Sequence, residues 1–255
     1  MRSSTVSDLY NTIVIGSGYY SVAYALNHEK TLIIEETQLL DPNFCARLCS
    51  FEMDANQPNS PDAKSLFGAF RGEGLLKAGC IAVNELETAF CRFVQGRELN
   101  VLLGTVCLEI REHRDGFAVD ICNNDGISTL YAKTIIDARV PRGDQLNFLV
   151  CTPDSAPPAV EEIHPAFYPD QFRISAPVPG VADINEAKML ALETHEAALA
   201  EVGARIILMA YQLDGAPIQQ PYTDDNGILH VDERAFGNVF AAYQEGEIID
   251  GAFHT

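Results

Sequence analysis

Basic charge is scarce in this sequence. Lysine and arginine number 17 against 36 aspartates and glutamates, a net charge of −19. So acidic a chain repels phosphate backbones and anionic headgroups, which argues against nucleic acid and membrane surfaces as partners. Long apolar runs are missing, and no stretch reaches membrane-spanning length. The first residues, MRSSTVSDLY, lack the apolar centre of a signal peptide. A strand pattern begins almost at once, so no cleaved presequence is expected. There is no C-x-x-C pair and no metal-type histidine spacing such as H-E-x-x-H, so no metal site is expected. The seven cysteines, at positions 45, 49, 80, 91, 107, 122 and 151, form no paired framework. They read as reduced thiols of a cytoplasmic protein, several of them in the core. The sequence contains neither an internal repeat nor a low-complexity segment.

What is present is a globular balance: 47% hydrophobic and 21% charged residues in 255. That length suggests one large domain or two intimately joined ones. The most informative stretch is residues 12–36, TIVIGSGYYSVAYALNHEKTLIIEE. A short β-branched run meets Gly16 and Gly18, a helix with small residues follows, and a second apolar strand ends in Glu35 and Glu36. A dinucleotide fold needs this order. Glycine lets the backbone turn and a pyrophosphate come close, the helix start offers free N–H groups, and an acid nearby accepts from ribose hydroxyls. Ser21 stands where a third glycine is usual, and is small enough to keep helix and strand close. Gly16 to Glu35 spans 19 residues, near the roughly 20 expected. Either Glu35 or Glu36 could be the ribose acid, with Glu35 preferred. The competing reading is a strand–turn–helix unit that binds nothing.

Residues 37–79 read as a long irregular loop, with Pro42, Pro58, Pro61, Gly68, Gly72 and Gly74. Its Phe44, Phe51, Phe67, Phe70, Arg47 and Arg71 either cover a ligand or pin the loop to the core. A helix is expected from Asn84, with Glu87 completing a capping box and Gly96 ending it. Strands are expected at 99–103, 106–112, 117–122, 130–132 and 134–136, the middle three forming an antiparallel meander. The proline-rich residues 139–170 are followed by strand patterns at 172–176 and 205–213. Between these lies a helix that starts at Asp183, runs to Val202 and is stopped by Gly203. Short strands are expected at 229–231 and 239–242.

Three pieces together resemble the FAD-dependent oxidoreductases of the glutathione-reductase-like class: VIGSGYYSVAYAL with TLIIEE; the helix, meander and strand from NELETAF to LYAKTIIDA; and GNVFAAYQEGEIIDG. The resemblance covers residues 12–36, 84–138 and 237–251. It implies an α/β fold: a Rossmann-like parallel sheet with β-meander, plus a minimal second α+β substrate-type subdomain. The implied domains are a discontinuous FAD/dinucleotide-binding unit, 1–140 and 228–255, and a small substrate-type unit, 141–227. It implies FAD as cofactor, with Gly16, Gly18 and Ser21 at the pyrophosphate, Glu35 or Glu36 at the ribose, and Val106 at the adenine. Ala138 ends the AKTIIDA segment, and Gly246 with Glu247 would supply an acid near the ribityl chain. The sequence departs from the family at Arg139-Val140, where Thr-Gly is usual, and the helix that follows the last strand is expected to be short or absent.

The function implied is transfer of hydride or electrons through flavin to or from a small-molecule substrate. The alternative is a non-catalytic or partner-dependent dinucleotide-binding subunit, working with a second chain or a second copy. An NAD(P)-only dehydrogenase fits less well, because the meander belongs to the flavin class. No catalytic residue is assigned. His164, His195, His230 and Tyr211 qualify by residue type alone. Cys45 and Cys49 lie where disulfide reductases of this class carry a redox pair, but with C-x3-C spacing instead of C-x4-C.

Overall fold

The computed structural model describes residues 9–40, 58–77, 80–139, 145–160, 163–178, 184–212 and 219–248. The chain opens with β1 (Leu9–Ile15), α1 (Tyr19–Asn27) and β2 (Thr31–Glu35). Helix α2 (Pro61–Gly72) and a minimal hairpin of β3 (Leu76–Lys77) and β4 (Cys80–Ile81) follow. Next come α3 (Val83–Val94), β5 (Val101–Leu103), β6 (Val106–His113), β7 (Gly116–Asn123) and β8 (Gly126–Asp137). A second group holds β9 (Gln145–Cys151), β10 (Ile163–Pro165), β11 (Gln171–Pro177), α4 (Ile184–Glu201) and β12 (Arg205–Gln212). The end comprises β13 (Tyr222–Thr223), β14 (Leu229–His230), a 3-10 turn at Glu233–Phe236 and α5 (Val239–Ile248).

The fold is α/β around a parallel sheet. Strands run in the order β13-β14-β8-β1-β2-β5, and β14, β8, β1, β2 and β5 are parallel. Strand β8 is one element where the sequence pattern suggests two. Its N-terminal half pairs antiparallel with β7, while its C-terminal half runs parallel beside β1, Ile15 opposite Asp137. Strands β6, β7 and that first half of β8 make the meander.

Side-chain alternation splits the sheet's two faces. Val14, Ile33 and Ile136 pack toward the helical side, with Tyr19, Phe70, Phe90 and Phe240. Ile13, Ile15, Leu32, Ile34 and Ile135 pack toward Val119 and Ile121 of the meander. Both faces are covered, which is why β1 and β2 read as unbroken apolar runs. The second sheet, β10-β11-β9-β12, is antiparallel. Leu146, Phe148, Val150, Phe172 and Ile174 line its core against Ala187, Ala191 and Leu199 of α4.

Three further element expectations are corrected. Residues 61–72, read as loop, are helix α2. Ser60 caps it by accepting from the Ala63 N–H at 3.1 Å, Pro61 opens the first turn, and Asp62 and Arg71 suit the helix dipole. Burial of Leu66 and Phe70, about 1.5–3 kcal/mol each, outweighs the cost of Gly68. Residues 239–242, read as a strand, form the first turn of α5. Asn238 Oδ1 accepts from the N–H groups of Phe240 and Ala241 at 3.0 and 2.9 Å and nucleates that turn. Helix α3 starts at Val83 after Ala82, which gives no side-chain cap, so the expected cap at Asn84 is two residues late. Tyr222–Thr223 pairs with β14 in the first sheet. Asp183, Phe44, Arg47, Phe51, Cys45 and Cys49 lie outside the described residues.

Candidate functional site

The C-terminal edge of the parallel sheet gathers most of the residues singled out in the sequence. Gly16 takes a φ of +100°, open to glycine alone at little cost, and its N–H donates to the Ile34 carbonyl at 2.8 Å. A Cβ there would stand 3.0 Å from the Ala138 carbonyl carbon and oxygen. Ala138 is fully buried, and its N–H donates to the Ile15 carbonyl at 2.8 Å. Gly16 and Ala138 therefore meet, β1 against β8, as the ends of adjacent parallel strands must.

Glu35 ends β2 and is 4% exposed. Its Oε2 accepts from the Ser17 N–H at 3.0 Å and the Ser17 hydroxyl at 2.9 Å, and its Oε1 accepts from the Thr37 N–H at 2.8 Å. The acid at the end of the second strand thus turns back and ties down the glycine turn. Glu36 is exposed. Thr105 donates its N–H to the Glu35 carbonyl at 2.9 Å, which sets Val106, 38% exposed, beside this edge. Gly104, at a φ of +61°, lies under the Gln38 side-chain amide. Ser21 is buried on α1, and its hydroxyl has no hydrogen-bond partner among the described residues.

Gly18 precedes α1, and its open face is filled. A Cβ on Gly18 would overlap both carboxylate oxygens of Glu233. Glu233 Oε2 accepts from the Tyr19 N–H at 3.1 Å and Oε1 from the Tyr20 N–H at 3.2 Å. These are the free N–H groups of the helix start, where its dipole favours negative charge. Glu233 is fully buried. A dinucleotide pyrophosphate would claim the same N–H groups and the same space, so it does not fit this arrangement of the turn. Sequence reading missed Glu233. The signal lay in ILHVDER, where an acid pair directly follows the last parallel strand, β14.

Asp232, the other member of that pair, is 7% exposed and accepts from the Gln219 N–H at 3.3 Å. With Asp137, Arg139, Gln219, Tyr222 and His230 it lines a cavity of about 360 Å³ between the ends of β8 and β14. Arg139 folds onto Asp137. Its N–H, Nε and Nη2 donate to that carboxylate at 3.1, 2.9 and 2.6 Å, which holds the guanidinium more firmly protonated than usual. His230 Nε2 lies 3.2 Å from Asp224 and its ring stacks with Tyr222 at 4.9 Å.

Gly246 and Glu247 lie elsewhere, on α5. A Cβ on Gly246 would overlap the Tyr20 carbonyl oxygen and stand 2.9 Å from Ala23 Cβ, so this glycine serves a close crossing of α5 over α1. Glu247 faces Ser60 and Asp62 at the start of α2, and burial pushes its carboxyl above the usual glutamate range. Phe67 and Phe70 pack on Phe240, and Tyr19 stacks on Phe90 at 4.1 Å. These rings pin helices together. His195 packs edge-on against Phe148 in the second unit, and burial lowers its pKa. The side chains of His164 and Tyr211 lie outside those described. No group of three or more potential metal ligands occurs among the described residues, and no described helix is long and apolar enough to cross a membrane.

No family model and no curated protein matches the sequence. Solved structures do resemble the fold. The anhydrotetracycline hydroxylase OxyS of Streptomyces rimosus superposes with a TM-score of 0.55 at 12% identity, over 87% of this chain and 55% of that one. Aklavinone-11 hydroxylase, solved with FAD and aklavinone, gives 0.52 at 12% identity, over 89% and 57%. Glycine oxidase from Geobacillus kaustophilus gives 0.56 at 12% identity, over 97% of both chains. The chain spans little more than half the length of the two hydroxylases. The likeness shows a shared fold, that of oxidoreductases including an FAD-bound one.

Proposed function

We propose that the chain is an FAD-dependent oxidoreductase that exchanges hydride or electrons with a small molecule. One observation carries this reading: the Gly16–Gly18 turn joins β1 to a helix, and Glu35 at the end of β2 faces that turn. In this reading Gly16, Gly18 and Ser21 line the pyrophosphate subsite. Glu35, with Glu36 beside it, marks the ribose end, Val106 the adenine end, and Ala138 the base of the turn. Asp232, the acid after the last parallel strand, takes the place the sequence resemblance gave to Gly246 and Glu247. Bound flavin would supply the redox chemistry. The test is an absorbance spectrum of the pure protein, with released cofactor identified, followed by screening NAD(P)H, amine, alcohol and acid donors. A flavin spectrum bleached by one donor class supports the reading; a bound flavin that no donor bleaches counts against turnover.

A second reading is favoured by the buried Glu233 carboxylate on the α1 N-terminus. The chain would then keep the flavoprotein fold as a non-catalytic or partner-dependent subunit. Colourless protein that takes up no added FAD, alone or with a partner chain, would put this reading ahead.

A further inference from the structure

We infer that Glu233 is an internal substitute for a ligand's phosphate, and that it closes the Gly16–Gly18 turn to a dinucleotide until its carboxylate is withdrawn. Three observations converge. The carboxylate accepts from both the Tyr19 and Tyr20 N–H groups, at 3.1 and 3.2 Å. Its oxygens fill the space left by the missing Gly18 side chain, the space a motif glycine leaves for a phosphate. It is fully buried, so it sits inside the turn and not as a solvated neighbour of it. An anion on a helix start is worth most where water is excluded, so a second anion cannot be added beside it without severe like-charge repulsion.

Glu233 lies on the 3-10 turn between β14 and α5, and Phe236 at the end of that turn stacks on Tyr20 at 6.0 Å. Withdrawing the carboxylate takes a rotation of the Glu233 side chain, a shift of this turn against α1, or both. Ligand uptake is coupled to that withdrawal, and apparent affinity is the intrinsic affinity multiplied by the fraction of molecules in which Glu233 is withdrawn.

The inference rests on the flavin reading only for the identity of the ligand. Its test uses the full chain as wild type, Glu233→Ala and Glu233→Gln, with circular dichroism confirming the fold. Titration calorimetry with inorganic pyrophosphate, ADP and FAD gives the readout. Glu233→Ala is expected to bind pyrophosphate and ADP roughly tenfold or more tightly than wild type, with Glu233→Gln, uncharged but equally bulky, between them. Should Glu233→Ala not fold, Glu233→Gln carries the test by the same criterion. Equal affinity of wild type and variants for pyrophosphate and ADP overturns the inference, as does loss of binding in the variants. Variants that gain pyrophosphate and ADP but not FAD uphold the role of Glu233 and remove the flavin reading.

Discussion

Glu233 and Gly18 share one space: a Cβ on Gly18 would overlap both carboxylate oxygens of Glu233. The missing side chain of Gly18 is what lets a carboxylate enter the turn. The N–H groups of Tyr19 and Tyr20 are thereby satisfied inside a site that excludes water, where unsatisfied donors would cost about 1–3 kcal/mol each.

Gly18→Ala is accordingly expected to destabilise the chain by about 1–3 kcal/mol, because the new methyl must push the carboxylate off the helix start. The cost is expected to shrink when Glu233→Ala is added, since the methyl then has room. Urea denaturation of both single variants and the double variant measures the coupling. Strict additivity would show that the two residues do not meet in solution.

Glu35 is expected to be as important to the turn as to any ligand. Glu35→Ala strips the acceptor from the Ser17 N–H, the Ser17 hydroxyl and the Thr37 N–H, all in a buried or half-buried setting. A loss of about 2 kcal/mol or more follows, against about 1 kcal/mol for Ser17→Ala, which removes only the hydroxyl's contacts with Glu35 and the Leu39 carbonyl. Equilibrium unfolding in the absence of any nucleotide checks this. Similar small effects for both would mean that Glu35 faces outward, free for a ribose.

Glu247 gives a pH dependence with a definite sign. Burial raises its folded pKa above the unfolded one, so the folded state binds the proton more tightly. The stabilisation it gives is present below the ordinary glutamate value, about 4.3, and is lost as pH rises through the raised folded value. Glu247→Gln mimics the protonated form and keeps that stability. The variant is expected to gain on wild type as pH rises above the ordinary glutamate value, about 4.3, measured as the difference in thermal midpoint against pH. A constant difference would place the carboxyl in solvent.

The parallel core was legible because its signals are local. β-branched runs, glycines at a turn and an acid at a strand end each act over a few residues, and β1, α1 and β2 lie within 9–35. The meander was legible for the same reason, through alternation in β6 and β7. Helix α2 was not, although Ser60, Pro61 and Asp62 are a good helix start, because the glycines and prolines around it also suit a loop. The site's decisive contact was least legible of all. Glu233 reaches Tyr19 from a sequence separation of 214 residues, and no periodicity encodes which acid after which strand will turn onto a helix start. The acid sought near residue 247 proved to sit on a helix, because Asn238 caps α5 where a strand was expected.

Gly246 and Gly68 provide a matched pair that separates packing from helix propensity. Both lie inside helices, so alanine at either is favoured intrinsically by about 1 kcal/mol. Gly68 has open space around it, and Gly68→Ala on α2 is expected to stabilise by about 0.5–1 kcal/mol. At Gly246 a methyl would overlap the Tyr20 carbonyl oxygen and crowd Ala23 at 2.9 Å. Gly246→Ala must therefore force α5 away from α1, at a cost of about 1–3 kcal/mol that exceeds the propensity gain. The same displacement would loosen the Phe236–Tyr20 stack and the 3-10 turn that carries Glu233. Chemical denaturation reads the two stabilities, and hydrogen exchange at the Tyr19 and Tyr20 amides reads the turn. Faster exchange there in Gly246→Ala, with no change in Gly68→Ala, is the expected pattern. Equal stabilisation by both substitutions would mean that α5 does not cross α1 at Gly246.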